Sequence, residues 1–144
     1  MLKPILMADD DRDDCLLARR ALEKSKVGNP FVTVEDGEEL LDYLFRRGKY
    51  SDPEKSVRPI LILLDLNMPR VKGIEALKEI KADPELCKIP VVVLTTSSQE
   101  EDILQCYRNH ISGYIVKPVT LAGLCEAIDT LGNYWFNLVQ LPER

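Results

Sequence analysis

Carboxylates, hydroxyls and one lysine recur in this chain directly after short apolar runs. Asp9, Asp10 and Asp11 follow Ile5-Leu6-Met7-Ala8. Asp65 follows Ile60-Leu61-Ile62-Leu63-Leu64 and leads into Leu66-Asn67-Met68-Pro69. Thr95, Thr96, Ser97 and Ser98 follow Val91-Val92-Val93-Leu94, and Lys117-Pro118 follows Gly113-Tyr114-Ile115-Val116. Carboxylates gathered in one place repel, and raise one another's pKa, unless something positive joins them. Asp10 and Asp65, with Lys117 nearby, can hold a hard divalent cation through oxygen. Mg2+ is usually held by one or two carboxylates, waters and a substrate phosphate, not by a full protein cage. A carboxylate can also be a nucleophile that forms an aspartyl phosphate. Phosphoryl transfer asks mainly for positioning and for neutralisation of the equatorial oxygens. A metal, Lys117 and the Thr95 hydroxyl would supply those contacts around Asp65. The plain alternative is an acidic rim of helix caps with no ligand.

The apolar runs are what must position these groups. Residues 60–64 (β3) and 91–94 (β4) are continuously apolar at strand length, which means burial on both faces, as in a parallel sheet covered by helices. Residues 4–8 (β1), 31–34 (β2) and 113–116 (β5) fit the same role more weakly. Helix-length segments lie between them, over 11–23 (α1), 38–47 (α2), 73–82 (α3), 99–109 (α4) and from 121 onward (α5). Cys15, Ala18 and Leu22 form an apolar stripe on α1, whose aspartates sit at the positive end of the helix dipole. Five βα repeats predict a parallel α/β sheet with right-handed crossovers. In such a sheet ligands bind at the carboxyl ends of the strands, which is where every residue above falls. The polar loop over 48–59, with Pro53 and Pro59, reads as a surface excursion or, alternatively, as a partner contact.

Composition narrows the function classes. The 144 residues suit one domain, with a core large enough to need no disulfide or metal staple. The net charge of -5 offers no basic face for a phosphate backbone, which disfavours nucleic acid. Mean hydropathy is -0.14 and no apolar run approaches the ~18 residues of a membrane span. The first residues lack the apolar region and cleavage site of a signal peptide, so a cytoplasmic location is expected. Cys15, Cys87, Cys106 and Cys125 are widely spaced and read as reduced thiols rather than a zinc site. The lone His110 reads as a residue at the C-terminal end of a helix, favoured by the dipole.

The segments ILMADDD, LILLDLNMPRVKG, VVVLTTSS and GYIVKP together resemble the signature segments of response-regulator receiver domains of two-component signalling, the CheY-like family. The likeness spans residues 5 to about 132. It implies a flavodoxin-like (βα)5 fold, with a parallel five-stranded sheet in the order 2-1-3-4-5 and helices on both faces. It implies that Asp65 is the phospho-acceptor and that Mg2+ is bound by Asp10, by Asp65, by the backbone carbonyl of Asn67 and by Asp9 through a water. Thr95 and Lys117 would bind the phosphoryl group, and Asn67 and Ser97 occupy positions that influence its hydrolysis. The Lys117-Pro118 bond matches a family cis peptide. Tyr114 matches a mobile aromatic position: if Thr95 is drawn toward the phosphate, space opens for Tyr114 to turn inward, a two-state element biased by a local charge change.

A single domain over 1–144 is expected, with a receiver core at about 3–132 and a C-terminal extension over 133–144, and with no residues left after Arg144 for an output domain. Such a chain must signal by altered partner binding or by relaying phosphate, acting catalytically on its own phosphorylation and dephosphorylation only. The extension carries Tyr134, Trp135 and Phe136, and aromatic clusters at surfaces favour interfaces; alternatively Trp135 and Leu138 fold back against the domain. Gly132 inside the last helix costs ~1 kcal/mol relative to Ala, so a bend or pause is expected there. With the loop before β3, this tail resembles single-domain regulators that partner phytochrome-type histidine kinases, several of which dimerise through the α4-β5-α5 side. Two other readings are a phosphatase with an aspartyl-phosphate intermediate and a phosphate-independent docking module. The first typically needs a second Asp two residues after the nucleophile, where this chain has Asn67, which cannot transfer a proton.

Overall fold

In the computed structural model, which describes residues 2–141, five strands form one parallel sheet in the order β2-β1-β3-β4-β5. The strands are β1 (Ile5–Ala8), β2 (Phe31–Val34), β3 (Leu61–Leu64), β4 (Val91–Thr95) and β5 (Gly113–Val116). The helices are α1 (Arg12–Lys24), α2 (Gly37–Phe45), α3 (Gly73–Ala82), α4 (Glu100–Arg108) and α5 (Leu121–Asn133). The flavodoxin-like expectation, strand order included, is met.

Side chains alternate across a strand, and this splits the core in two. Leu6, Ala8, Ile62, Leu64, Val91 and Val93 face a cluster completed by residues of α2, α3 and α4, such as Leu40, Leu44, Leu77 and Cys106. Ile5, Met7, Leu61, Leu63, Val92 and Leu94 face the other side, where Ala18 and Leu22 of α1 meet Leu124 and Ile128 of α5. The continuous apolarity of β1, β3 and β4 is thus explained residue by residue.

Element ends differ from expectation for local reasons. Asp11 caps α1: its carboxylate accepts the backbone N–H groups of Asp13 and Asp14 at 3.0 and 3.2 Å. α2 stops at Phe45 because Arg46 turns left-handed, with φ 58°. His110 also has positive φ, 64°, and lies beyond the end of α4 rather than in it. β4 includes Thr95, expected just past the strand.

The Lys117-Pro118 peptide bond, for which the family resemblance implies the cis form, is trans; no cis peptide bond occurs among the described residues. Trans is favoured by about 0.5–1 kcal/mol even before proline. In this arrangement the Lys117 ammonium already reaches its carboxylate partners, so nothing in the site demands the less stable isomer.

The loop over 48–59 is held to the body. It opens with a 3-10 turn, Gly48–Tyr50. Tyr43 donates its hydroxyl to the Val57 carbonyl at 2.6 Å, and Tyr50 donates to Glu39 at 2.7 Å. The two tyrosine rings meet edge to face, 5.1 Å apart, and Ser56 is fully buried.

Gly132 does not interrupt α5. A Cβ there would stand 3.0 Å from Leu22 Cδ2 and 3.3 Å from Val27 Cγ2, so glycine lets α5 lie close on α1. The helix then widens into a π-helical turn, Tyr134–Leu138. Trp135 and Phe136 sit against the α1/α5 half of the core, while Tyr134 and Leu138 face outward. Folding back against the domain is therefore true of Trp135 and not of Leu138. Residues 142–144 of the extension lie outside the described residues.

Candidate functional site

The carboxyl ends of β1, β3 and β5 bring Asp9, Asp10, Asp65 and Lys117 into one cluster, while the side chains of Thr95 and Tyr114, on β4 and β5, make their hydrogen bonds to Ser97. β1 ends at Ala8, so Asp9 is the first residue free of strand pairing on its own chain, yet its N–H still reaches the Val34 carbonyl at 3.0 Å. Asp9 is buried, and one of its carboxylate oxygens accepts the Asp11 N–H at 2.9 Å. Asp10, next in line, turns to solvent. Asp65 follows β3; its N–H donates to the Ala8 carbonyl at 2.9 Å, tying the two strand ends together. Its Oδ1 accepts the Asn67 N–H at 3.2 Å. Oxygens of Asp9, Asp10 and Asp65 lie within 4.8 Å of one another. Three hard oxygen donors at this spacing suit a small divalent cation.

Lys117, one residue past β5, crosses to this cluster. Its N–H donates to the Thr95 carbonyl at 2.7 Å, which fixes the strand end. Its ammonium lies 2.6 Å from Asp9 Oδ2, 2.8 Å from Asp14 Oδ2 and 3.4 Å from Asp65 Oδ2. The charges respond to this burial. Desolvation pushes the Asp9 carboxyl up to about 6, against the pull of Lys117 and the Asp11 N–H. Desolvation also works against the Lys117 charge, but hydrogen bonds to Asp14 and Asp9 outweigh it and hold the ammonium above its ordinary value. The Cys15 thiol, buried and beside Asp9, is pushed up to about 12 and stays protonated.

Asp14 is the contact that sequence reasoning missed. It lies on the first turn of α1, one helical turn before the fully buried Ala18. An acidic residue at i, i+4 from an inward-facing alanine was the available signal.

Thr95 is fully buried at the end of β4, and its Oγ1 accepts the Ser97 N–H at 3.4 Å. The Tyr114 hydroxyl donates to the Ser97 carbonyl at 2.9 Å, and Ser97 Oγ donates to Asp102 at 2.5 Å. Ser97 therefore joins β4, β5 and the start of α4. A cleft lined by Leu66, Asn67, Thr96, Ser97 and Gln99 opens beside the cluster.

Comparison with known proteins agrees with the fold. The family model for the response regulator receiver domain matches residues 5–129. Response regulator Rcp1 of Synechocystis sp. is 39% identical over 140 residues, covering 97% of this chain and 93% of that protein. Among solved structures, that of the phosphorylated cyanobacterial phytochrome response regulator RcpA superposes with a TM-score of 0.93 at 41% identity, covering 99% of this chain and all of that one. The Mn2+-bound form of response regulator Rcp1 gives a TM-score of 0.91 at 38% identity, covering 97% of this chain and 99% of the other. With sequence and backbone both matched over nearly the whole length, the chain belongs to the response regulator receiver domain family and is itself a response regulator.

Proposed function

We propose that Asp65 accepts a phosphoryl group from the phosphohistidine of a sensor kinase in an Mg2+-dependent reaction, and that the changed site alters partner binding or passes the phosphate on. The observation that carries this reading is Asp65 itself. It is a buried carboxylate at a strand end, 3.4 Å from a lysine ammonium and within 4.8 Å of two further carboxylates. A carboxylate oxygen of Asp65 attacks phosphorus, the P–N bond to the donor imidazole breaks, and the leaving imidazole takes up a proton. Lys117 and Thr95 contact the phosphoryl oxygens as charge moves onto them. Asp10, Asp65 and the Asn67 carbonyl would hold Mg2+, with Asp9 acting through a water. The cation would neutralise the transferring oxygens. In this reading catalysis is confined to the chain's own phosphorylation and dephosphorylation.

Thr95 and Tyr114 form the switch in this reading, since Ser97 hydrogen-bonds to both, at 3.4 and 2.9 Å. A phytochrome-type histidine kinase is the proposed partner, from the likeness to the regulators named above. A second copy of the chain is the proposed output partner, docking through α4-β5-α5 and the aromatics Tyr134, Trp135 and Phe136. Support comes from Leu104 and Tyr107 on α4, Val116 on β5, Val119 just before α5 and Leu121 at its start, all exposed apolar side chains. No helix among the described residues is long and apolar enough to cross a membrane.

The test is mass by light scattering after size exclusion, with Mg2+, with and without beryllium fluoride. The expected result is a mimic-dependent change in mass that is absent in Asp65→Asn. If the mimic fails to bind the wild type, the assignment of Asp65 is wrong. If it binds without a change in mass, the output is a different partner or a relay.

Asp9 adds a pH signature. Its carboxyl titrates near 6 and must be ionised to attract a cation. Mg2+ affinity is expected to be level above that value and to fall by up to about tenfold per pH unit below it, as a proton competes with the metal. Calorimetric titration between pH 5 and 8 reads this directly, and an affinity that stays level across the range would disconnect Asp9 from the ion.

A further inference from the structure

The Lys117 ammonium has three N–H donors, and all three face carboxylates. Asp9 and Asp14 are within 2.8 Å, while Asp65 stands off at 3.4 Å. A phosphoryl group on Asp65 brings new negatively charged oxygens to the same lysine, and these compete with its present partners for the ammonium. Asp9 is fully buried and tied by its other oxygen to the Asp11 N–H. Asp14 is different. It stands on α1, its side chain retains 17% exposure, and it lies outside the Asp9, Asp10 and Asp65 group of clustered oxygens.

We propose that Asp14 is a positioning residue that holds the Lys117 ammonium toward α1 and competes for it with a phosphoryl group on Asp65. The proposal rests on Asp65 being the acceptor. The competition has two parts: Asp14 occupies one donor of the ammonium, and its negative charge opposes that of the phosphoryl oxygens. Occupancy of the phosphorylated state is thereby held down by a residue that touches neither the phosphoryl group nor the metal. On phosphorylation Asp14 gives up the contact and turns toward solvent, which its partial exposure permits.

The test is the apparent Kd of beryllium fluoride at saturating Mg2+, read by 19F NMR of the bound fluorides. Asp14→Asn keeps the side chain's shape and an acceptor oxygen but removes the charge. It is expected to tighten binding roughly three- to tenfold, the scale of one partly screened charge at this range. Asp14→Glu restores the charge and is expected to return affinity to the wild-type value. Asp13→Asn makes the same change of net charge on an exposed neighbour and is expected to leave affinity unchanged, because screening by solvent is strong there. Unchanged or weaker binding in Asp14→Asn overturns the proposal, as does equal tightening in Asp13→Asn. A purely structural role would move the urea midpoint of Asp14→Asn and leave its Kd in place, which also overturns it. Failure of the wild type to bind, or equal binding by Asp65→Asn, is a separate result that removes the acceptor assignment beneath it.

Discussion

Lys117→Met is expected to cost about 3–5 kcal/mol of folding stability at pH 8 without divalent ions, the usual penalty for stripping the partner from buried charge. Met keeps the length and apolar stem of the side chain and removes only the ammonium, leaving Asp9, Asp14 and Asp65 facing one another. The sign with pH follows from Asp9. Its folded pKa already lies above the unfolded value of 3.8, so the native state binds a proton more readily than the unfolded chain. Stability on this account falls as pH rises from about 4 toward 6. Without Lys117 that carboxyl is pushed further up, and the window of lost stability extends to higher pH. Urea unfolding of wild type and variant at pH 5 and pH 8 should therefore show a gap that narrows at the lower pH. Millimolar Mg2+ should narrow it at pH 8, since a divalent cation replaces the missing charge. A gap equal at both values would mean that the carboxylates are solvated well enough not to need the lysine.

Gly73→Ala is the second large effect. An alanine in a helix is ordinarily better than glycine by about 1 kcal/mol. At this position its Cβ would lie 2.4 Å from the Asp65 carbonyl oxygen and 2.7 Å from Leu66 Cα. Both are backbone atoms of the segment that carries Asp65, so no rotamer change can relieve the overlap. The first turn of α3 must move off the end of β3, at a cost of about 3 kcal/mol or more. The Gly73 N–H bond to the Leu66 carbonyl, 3.1 Å, is lost with it. Because this displaces Asp65 relative to Lys117, beryllium fluoride affinity is expected to drop at least about tenfold. A variant that is more stable than wild type, with affinity intact, would show that the two elements separate freely.

What is legible in the sequence follows from how local each determinant is. β3 and β4 are plain because both faces of a central parallel strand are apolar, and the polar segments just after the strands then mark the pocket. Thr95 reads as lying one position past its strand because a buried strand-end threonine resembles the start of a loop. Asp14 escapes notice because its meaning depends on Lys117, 103 residues away. The loop over 48–59 reads as a surface excursion or a partner contact for a similar reason. Its anchors, Tyr43 and Tyr50, look like ordinary aromatic residues until the carbonyl of Val57 and the carboxylate of Glu39 are set beside them. α5 runs through Gly132 because the demand on that residue comes from Leu22 and Val27, not from the helix that contains it, and the change in the helix comes at Tyr134, where the π-helical turn begins. The isomer of the Lys117-Pro118 bond is a family trait with no local signal of its own, and here the bond is trans.

The strand order places Thr95 and Tyr114 on β4 and β5, one margin of the sheet, while β2 and the anchored loop sit toward the other. None of the three carboxylates holding Lys117 comes from β2. Under the proposed switch, the loop over 48–59 is a mounting rather than a dial: it is anchored through Tyr43, away from Thr95 and Tyr114, so substitutions at its exposed positions are expected to leave the response to phosphorylation unchanged.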